Sequence, residues 1–367
     1  MIRPFDTQMM ARAIQLARRG CYSTRPNPTV GCVLVRDGQV IGEGYTQPAG
    51  QNHAEIEALQ ACANPRGATA YVTLEPCSHE GKTGPCAEAL IEAGIAGCFI
   101  AMRDPNPAVA GEGIAKLTRA GVDVIEGLLQ AEAETLNPGF YQRMRNGRSR
   151  LRVKLAASLD GRTAMASGES QWITGPAARL DVQKLRAASG AIVTGIDTVL
   201  VDNPEMTVRE ESLAVPDQPL RVILDSRLRT PADARILQAP GQVLIVHTDA
   251  TADTTALAAA GAELLVVPAA NKRVDLHAVV AELAARQINE ILVECGPRLA
   301  GAFVQQGLVD ELVVYMAPTL LGSDARPLLE LPIAAIGAQQ RLDVIDVRKV
   351  GEDYRWTLRP LLRDFAQ

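Results

Sequence analysis

Short runs of apolar residues alternate with amphipathic stretches from the beginning of the chain. Apolar side chains recur at three- and four-residue intervals between Asp6 and Arg19, which predicts a helix with Asp6 as its N-cap. Strands and helices then follow in turn, and Asp37-Gly38 indicates a hairpin between the first two strands. The predicted segments are strands 30–35, 39–44, 68–74, 98–101 and 122–125, and helices 53–63, 86–93 and 113–120. This order is typical of a mixed sheet covered by helices on both faces, a three-layer α/β domain.

The same alternation resumes after residue 150. The segment 137–150 is basic and ends in Gly and Ser, so we expect one domain at residues 1–147 and a second at 148–367. The predicted segments of the second domain are strands 151–157, 191–194, 221–224, 243–246, 263–267 and 290–294, and helices 176–188 and 276–286, with another helix after Pro297. Strands and helices alternate throughout, which predicts a second α/β domain.

Composition narrows the classes of partner. The 367 residues carry a net charge of −5 and only 4% are aromatic, which argues against nucleic acid because such partners need a basic face and stacking platforms. No run of 18 apolar residues and no apolar signal core is present, so we expect no membrane association and a cytoplasmic location. In that compartment the seven cysteines are thiols or metal ligands rather than disulfides. The expected substrate is a small molecule.

Residues suited to metal chemistry concentrate in H-A-E at His53–Glu55 and in L-E-P-C-S-H-E-G-K-T-G-P-C at Leu74–Cys86. His53, Cys77 and Cys86 are ligand types that zinc accepts, and a catalytic zinc keeps three protein ligands with a fourth position open for water. The ion lowers the pKa of that water from about 15.7 to roughly 7. Glu55, in the first turn of a predicted helix, is placed to carry a proton from water to a leaving amine. This combination is typical of zinc deaminases.

Two structural interpretations of the same residues stay open. A closed zinc site would recruit His79, Cys62 or Cys98 as a fourth ligand and would give Glu55 no role. Alternatively, the cysteines are buried and bind no metal. Neither interpretation explains why a Glu and a Pro-Cys accompany the candidate ligands.

Two asparagines lie between prolines in predicted loops. Asn27 occurs in R-P-N-P before the first strand, and Asn106 occurs in R-D-P-N-P after the fourth. Asn27 is either a turn residue or an amide held in place for a ligand. Asp104 and Asn106 follow a strand's carboxyl end, where open α/β sheets bind ligands, and could pair with a purine- or pyrimidine-like ring. Lys82, between the two cysteines, either meets a phosphate or is a solvated surface charge.

A Gly-rich turn is the most informative stretch of the second half. The residues E-C-G-P-R-L-A-G at Glu294–Gly301 connect a predicted strand to a helix, and amide N–H groups at such a helix start favour a phosphate. The turn is not G-x-G-x-x-G, so the Rossmann fingerprint is absent. A plain tight turn is the alternative interpretation. The pair Thr194-Gly195 after another strand is a second, equally weak indication of a nucleotide site.

Taken together, these motifs resemble one family over nearly the whole chain. The Cys-x8-Cys spacing with S-H-E-G-K-T between differs from cytidine deaminases, in which the two cysteines are usually two residues apart. The stretches K-L-A-A-S-L-D-G-R-T-A, S-G-E-S-Q-W-I-T and V-L-V-D-N-P-E-M-T-V-R match a reductase. The sequence resembles the bifunctional deaminase/reductase family of riboflavin biosynthesis.

The resemblance implies a fold and an activity for each domain. The N-terminal domain would be a cytidine-deaminase-like three-layer α/β/α domain that uses zinc to deaminate 2,5-diamino-6-(5-phosphoribosylamino)pyrimidin-4(3H)-one. The C-terminal domain would be a dihydrofolate-reductase-like α/β domain in which NADPH reduces the ribosyl side chain to ribityl. Hydride would go to the ribose C1′ of the ring-opened imine.

The resemblance also implies roles for individual residues. His53, Cys77 and Cys86 would be zinc ligands, and Glu55 the proton carrier. The substrate residues of the first site would be Asn27, Lys82, Asp104 and Asn106. Those of the second site would be Ser170, Arg186, Met206, Arg209 and Glu294. The NADP residues would be Ala156, Trp172, Thr198, Asp202, Ser226, Gly296, Pro297, Arg298, Leu299, Ala300, Gly301 and Ala302. Arg186 and Arg209 suit a substrate phosphate, and Glu294 could accept hydrogen bonds from the pyrimidine.

Five positions depart from the family pattern. Thr46 stands where many relatives have a substrate-facing His, and Gly84 replaces the first Pro of T-P-P-C. Asp197 and Asn203 replace the commoner Gly and Asp of their loop, and Cys295 replaces a small residue. These departures leave the zinc and proton-carrier residues intact.

Other functions remain possible from the sequence. The chain could deaminate another nucleoside or a nucleic acid and carry a second domain of unrelated use, or it could be a zinc-stabilised scaffold without activity. An α/β enzyme of this size is commonly a symmetric homo-oligomer, so we expect a dimer or tetramer.

Overall fold

A computed structural model describes residues 2–78, 84–107 and 109–361 of the chain. The chain divides into two compact units, Met1–Arg148 and Ser149–Gln367. None of the described helices has the length and apolar character needed to cross a membrane.

The first unit is built around a five-stranded sheet with the strand order β2-β1-β3-β4-β5. Strands β1 and β2 are antiparallel and β1 is antiparallel to β3, whereas β3, β4 and β5 run parallel, so the sheet is mixed as predicted. The elements are α1 (Pro4–Ala17), β1 (Gly31–Arg36), β2 (Gln39–Tyr45), α2 (Ala54–Gln60), β3 (Thr69–Val72), α3 (Cys86–Glu92), β4 (Gly97–Ile100), α4 (Glu112–Arg119), β5 (Asp123–Glu126), α5 (Gln130–Glu134) and α6 (Pro138–Asn146).

Alternating residues of the central strands fill two separate cores. Cys32, Leu34 and Val72 pack with α2, α3, α4 and α6 on one face. Val33 and Tyr71 pack with α1 and α5 on the other. Because successive side chains of a strand point to opposite faces, a strand covered on both sides is apolar throughout, and the three-layer arrangement follows.

The first helix begins earlier than predicted. Its N-cap is Arg3 and Pro4 is its first residue, so Asp6 is not the cap but the third helical residue, and its carboxylate accepts the backbone N–H of Arg3 at 2.8 Å. The Arg3 side chain also donates to this carboxylate, which holds the pKa of Asp6 at about 2. The Tyr71 hydroxyl donates to Asp6 at 2.8 Å. This network ties the helix start to strand β3.

The second unit contains a nine-stranded sheet with the order β11-β10-β9-β8-β14-β6-β15-β18-β17. The strands from β11 to β15 run parallel, and β18 and β17 add an antiparallel edge. The strands of the second unit, including those outside this sheet, are β6 (Arg150–Ser158), β7 (Arg162–Ala164), β8 (Ala191–Gly195), β9 (Leu220–Leu224), β10 (Val243–His247), β11 (Ala262–Val266), β12 (Ala269–Ala270), β13 (Arg273–Val274), β14 (Glu290–Glu294), β15 (Glu311–Ala317), β16 (Arg326–Pro327), β17 (Leu342–Val350) and β18 (Asp353–Pro360). Its helices are α7 (Pro176–Ala187), α8 (Ile196–Asp202), α9 (Arg235–Gln238), α10 (Thr255–Ala259), α11 (Leu276–Ala285) and α12 (Pro297–Gln305).

Helices cover the parallel part of this sheet on both faces. Leu151, Val153 and Leu155 of β6 pack with α11 and α12, and Leu292 and Val313 pack with α7 on the other face. Parallel strands are normally buried on both sides in this way. Their carboxyl ends therefore meet along one edge, where the loops that follow them are accessible to a ligand.

Gly31 allows helix α1 to approach strand β1 very closely. A Cβ at this position would lie 1.9 Å from the carbonyl oxygen of Ala13. We expect Gly31→Ala to lower the free energy of unfolding of the first unit by about 2–3 kcal/mol, because backbone rather than a flexible side chain must move. Urea denaturation measures this change. Gly337→Ala is the matched control, since its Cβ would meet no atom within 4 Å, and equal stability losses in the two variants would contradict the expectation.

Candidate functional site

Three elements of the first unit bring His53, Cys77 and Cys86 together. His53 is the N-cap of α2, Cys86 is the first residue of α3, and Cys77 follows β3 in the segment between them. The Cys77 carbonyl accepts the Ala87 N–H at 3.1 Å, and the Lys116 ammonium donates to the Ser78 carbonyl at 2.8 Å. The segment that carries Cys77 is therefore held by α3 and α4.

The spacing of these three side chains fits one zinc ion. His53 Nδ1 lies 3.6 Å from Cys77 Sγ and 3.4 Å from Cys86 Sγ, and all the ligand atoms lie within 4.8 Å of one another. Tetrahedral zinc with Zn–S of about 2.3 Å and Zn–N of about 2.0 Å separates N and S by roughly 3.6 Å. The donor set and its distances therefore match a zinc site with three protein ligands.

The two thiols have opposite pKa shifts, so without a cation only one of them ionises readily. Cys86 donates to Cys77 from both its thiol and its backbone N–H, the latter at 3.3 Å. These contacts lower the pKa of Cys77 to about 4. The hydrogen bond with Cys77 and burial raise the pKa of Cys86. A bound cation would allow both thiols to ionise, because a coordinating thiol is deprotonated outright.

Glu55 lies beside the three ligands without joining them. It is 3% exposed, and its carboxyl interacts with the Cys86 thiol. Burial, followed by the charge of Cys77, raises the pKa of Glu55 to about 7. A carboxyl that changes protonation near neutral pH is suited to moving a proton.

The described residues do not provide the fourth ligand of a closed site. Among them, only His53, Cys77 and Cys86 form a potential metal-binding group, and neither Cys62 nor Cys98 belongs to it. Cys98 is fully buried, and burial raises the pKa of its thiol. His79 lies outside the described residues, as does the predicted substrate residue Lys82.

Sequence analysis overlooked Glu75, which organises the loop after β4. Its carboxylate is 5% exposed and accepts four backbone N–H groups, those of Asp104 at 3.1 Å, Gly111 at 2.9 Å, Gly113 at 2.9 Å and Ile114 at 3.3 Å. It therefore satisfies the start of α4 in place of an N-cap side chain. The signal in the sequence was an acidic residue immediately before Pro-Cys at the end of an apolar strand.

The other predicted residues of the first unit lie in loops held by the backbone. The Asp104 carboxylate accepts the Asn106 N–H at 2.8 Å, which fixes the turn between the prolines. Asn27 is half-buried, and its backbone closes a turn with Thr24. The Thr46 hydroxyl accepts the Val30 N–H at 3.0 Å and is buried, so this departure has a structural role.

In the second unit, a cleft of about 1730 Å³ lies at the carboxyl ends of the strands. Ligand pockets usually measure about 300–1,000 Å³, so the cleft has room for two ligands. Its described lining residues include eleven Lys and Arg but six Asp and Glu, although the whole chain is acidic. Phosphate groups are the expected ligands of such a surface.

Most of the predicted second-site residues line this cleft. They are Ala156, Ser170, Trp172, Arg186, Thr198, Asp202, Met206, Arg209, Ser226, Glu294, Gly296, Pro297, Arg298, Leu299 and Ala302. Ala300 and Gly301 do not line it, because they lie on the buried side of α12. Ala300 is part of the core, and a Cβ on Gly301 would lie 2.1 Å from the Glu330 carbonyl.

Arg186 and Glu294 bind each other rather than standing separately in the cleft. The guanidinium donates to both carboxylate oxygens at 2.6 and 3.0 Å, and it also donates to the Thr207 carbonyl at 2.9 Å. Burial opposes ionisation of Glu294, but Arg186 and Lys154 outweigh burial and lower the pKa of Glu294. Arg186 thus fixes the orientation of Glu294, and Arg209, which is more exposed, is the better candidate for a substrate phosphate.

Lys154 is a cleft residue that sequence analysis missed. It lines the same cleft as Arg186 and Glu294, and burial lowers the pKa of its ammonium while Glu294 raises it. The available signal was Lys154 as the last of three cations that alternate with apolar residues in β6, followed directly by L-A-A-S at the end of the strand. A partly buried lysine with a lowered pKa is suited to proton transfer.

The departures in the second unit have structural contacts. Asp197 pairs with Arg229 at 2.9 Å and lies 3.8 Å from Arg298. Asn203 ends α8 with φ of 40°, a left-handed conformation that Asn tolerates better than most residues, and accepts the Arg235 N–H at 2.9 Å. Cys295 lines the cleft, and burial raises the pKa of its thiol.

Comparison with known proteins gives matches along the whole chain. A model of the cytidine and deoxycytidylate deaminase zinc-binding region matches residues 3–102, and a model of the RibD C-terminal domain matches residues 149–355. The riboflavin biosynthesis protein RibD of Escherichia coli K12 is 50% identical over 360 residues, which cover 95% of this chain and 97% of that protein. The chain belongs to the RibD family. RibD of Haemophilus influenzae is 45% identical over 367 residues, 97% of each chain.

Solved structures agree with this assignment. RibD of Acinetobacter baumannii, form 1, superposes with a TM-score of 0.92 at 46% identity and covers 98% of this chain and 99% of its own. A diaminohydroxyphosphoribosylaminopyrimidine deaminase/5-amino-6-(5-phosphoribosylamino)uracil reductase of Thermotoga maritima gives a TM-score of 0.87 at 31% identity, with 97% and 99% coverage.

As a RibD family member, the chain is a bifunctional enzyme of riboflavin biosynthesis. It carries a zinc-binding deaminase domain and a reductase domain that uses a nicotinamide cofactor. The predicted family and the predicted α/β fold class are confirmed. The alternatives of an unrelated second domain and of an inactive scaffold are wrong.

We expect Glu75→Gln to impair the deaminase domain without removing its zinc. The new amide NH₂ would face backbone donors, so the loop carrying Asp104 and Asn106 would loosen. We expect KM of the deaminase to rise about tenfold and kcat to change less, at one bound zinc per chain. Glu112→Gln, at the same end of α4 but exposed, is the matched control. Kinetics identical in both variants would show that Glu75 does not position the loop.

Proposed function

We propose that the first unit deaminates 2,5-diamino-6-(5-phosphoribosylamino)pyrimidin-4(3H)-one by zinc-dependent hydrolysis. The observation that carries the proposal is a cluster of three ligands, His53, Cys77 and Cys86, with the buried Glu55 beside it but outside it. This arrangement leaves one position of a tetrahedral ion for water, and it supplies a separate group for the protons. The names of the solved Thermotoga maritima relative support the choice of substrate.

The residues of the first unit divide the work between them. When bound, zinc supplies Lewis acidity and makes hydroxide available near neutral pH. Glu55 accepts the proton of the attacking water and delivers it to the exocyclic nitrogen, which leaves as ammonia. Asp104 and Asn106, fixed by Glu75, and Asn27 orient the pyrimidine ring. We assign the phosphate contact to Lys82.

We expect Glu55→Gln to lower deaminase kcat by a factor on the order of 10² to 10⁴, because no carboxylate remains to carry the proton. Zinc content should stay at one per chain, and reductase activity with the deaminated substrate should not change. Ammonia release and elemental analysis of the same sample measure both quantities. A fully active variant would exclude the proton-carrier role, and a variant that lost zinc would instead place Glu55 among the ligands.

We propose that residues 148–367, which include the second unit, form a reductase domain that binds NADPH and reduces the ribosyl side chain to ribityl. The cofactor supplies a hydride, which we assign to ribose C1′ of the ring-opened imine. Lys154 lines the cleft with a lowered pKa, which supports a role in donating a proton to the ribose ring oxygen as the ring opens. Glu294, oriented by Arg186, accepts hydrogen bonds from the pyrimidine, and Arg209 with Ser170 and Met206 completes the substrate contacts.

A basic turn supports NADPH rather than NADH. Lys272 lies in the turn between β12 and β13, and Arg273 is the first residue of β13. Both line the cleft together with Ser226 and Arg227. Ser226 accepts the Val274 N–H at 3.1 Å, which joins this turn to the predicted cofactor residue. A cluster of exposed cations beside the adenosine end would recognise the 2′-phosphate.

We expect the double variant Lys272→Ala/Arg273→Ala to raise KM for NADPH by roughly tenfold or more, since two charge-assisted contacts to phosphate are lost. KM for NADH should change little, because NADH lacks the 2′-phosphate. Absorbance of the reduced cofactor measures both constants. Arg286→Ala, whose side chain pairs with Glu263 and Glu282, is the control. An equal loss with both cofactors would exclude 2′-phosphate recognition at this turn.

Two further proposals concern the protein as a whole. All seven cysteines are free thiols in the structure, which supports a reducing compartment, the cytoplasm. We also propose a homo-oligomer, a dimer or tetramer, because soluble α/β enzymes of this size are commonly symmetric assemblies.

A further inference from the structure

Strand β17 forms one end of the nine-stranded sheet and pairs with β18 on one side only. It is nine residues long, and every residue from Leu342 to Lys349 is exposed. A long exposed edge strand presents unpaired N–H and C=O groups to any chain that can add to it. The described residues place no further strand beside it.

One face of this edge is apolar. Cross-strand pairing puts Val344 opposite Leu358 and Val347 opposite Trp356. Leu358 and Trp356 pack against the main core of the unit, whereas Val344 is 58% and Val347 is 42% exposed. The apolar surface of the core thus continues onto a strand that solvent contacts, a feature that marks interaction sites.

A bulge determines which side chains of β17 share a face. The pairing register shifts between Val344 and Asp346, so Ile345 is the extra residue and the alternation is interrupted there. Val344 and Val347 therefore share the apolar face. Asp343 and Arg348 share the opposite face, since their partners are Arg359 and Arg355.

The strand is complementary to itself when it is read in the opposite direction. An axis between Ile345 and Asp346 sets Val344 opposite Val347 of the second copy, and Asp343 opposite Arg348. Both pairs lie on matching faces only because of the bulge; in a regular strand, residues three or five apart face opposite sides. A shift toward the start of the strand would oppose Asp343 and Asp346, which repel each other.

We propose that β17 pairs in antiparallel register with β17 of a second copy of this chain, about a two-fold axis between Ile345 and Asp346. The pairing joins two nine-stranded sheets into one and covers the valines of both copies. Two Asp343–Arg348 pairs flank the axis. Within one chain Arg348 lies 3.6 Å from Asp346 in an exposed pair, and exposed pairs of this kind contribute little to stability. The charge of Arg348 also lowers the pKa of Asp181 in the same chain. The inference rests on the proposed homo-oligomer and names its contact surface.

Charge reversal tests this pairing in the full-length protein. In Asp343→Arg, two arginines would oppose each other at both ends of the interface, and in Arg348→Asp two aspartates would. We expect each single variant to raise the dissociation constant of the assembly on the order of tenfold or more, measured by sedimentation velocity. The double variant Asp343→Arg/Arg348→Asp should recover wild-type assembly, because both pairs are restored with reversed sign.

Mixing the two single variants gives the decisive result. Each should associate with the other more tightly than with itself, because the mixed pair places Arg opposite Asp at both positions. Differently labelled chains distinguish mixed from unmixed assemblies. A misfolded variant would not be rescued by mixing. Arg119→Asp, at an exposed position on α4, is the control and should assemble normally.

The outcomes separate the pairing from the proposals on which it rests. A wild-type chain that is monomeric throughout refutes both the homo-oligomer and the strand pairing. Two results would refute the strand pairing alone. One is an oligomer whose dissociation constant does not change when the charge at residue 343 or 348 is reversed, and the other is a failure of the single variants to associate on mixing. Deaminase and reductase activities, measured on the same samples, report separately on the proposed chemistry.

Discussion

The deaminase site depends on bringing two thiols and an imidazole to one point in a largely buried setting. Two short helices begin at the site, α2 after His53 and α3 at Cys86, and Cys77 lies in the segment that follows strand β3 (Thr69–Val72). Helix starts present backbone N–H groups and a positive partial charge, so anionic sulfur is tolerated there. The sheet order places all three chain segments at the same edge.

The reductase cleft faces a different electrostatic demand. The ligands proposed for it carry phosphate groups, and cations exceed acids among its described lining residues although the whole chain is acidic. The buried Arg186–Glu294 pair cannot contribute to attraction, because its charges compensate each other. A buried pair with good geometry contributes orientation more than stability. We therefore assign the attraction of ligands to the exposed cations of the cleft, and the positioning of the reacting groups to the Arg186–Glu294 pair and Lys154.

Local patterns predicted much of the fold and the metal site. Apolar runs bounded by turn residues identified every strand of the first unit, and the ligand types with their spacing indicated zinc. The antiparallel edge was missed because β17 mixes charged with apolar residues and is buried on neither face. Strand β15 was also missed, although its residues V-V-Y-M form an apolar run. Helix α6 was not predicted, because the basic character of segment 137–150 concealed the buried Phe140 and Tyr141.

The pairing of Arg186 with Glu294 was beyond local pattern, since the two residues are 108 positions apart. The sequence resemblance assigned them to different parts of the substrate, the phosphate and the pyrimidine, and only the tertiary structure shows that the two side chains pair with each other. Glu75 was missed for a related reason. Its four acceptor contacts are all with backbone groups 29 to 39 positions away, and backbone donors leave no trace in side-chain identity.

The hydrogen bonds of Glu75 have a thermodynamic consequence. This carboxylate lies two residues before a candidate metal ligand, and it restrains the loop proposed to hold the pyrimidine. The motion of the segment that carries Cys77 is therefore coupled through Glu75 to the motion of the loop that carries Asp104 and Asn106. If metal loading reduces that motion, the pyrimidine loses less entropy on entry, and by reciprocity an occupied ring site retains the ion more firmly.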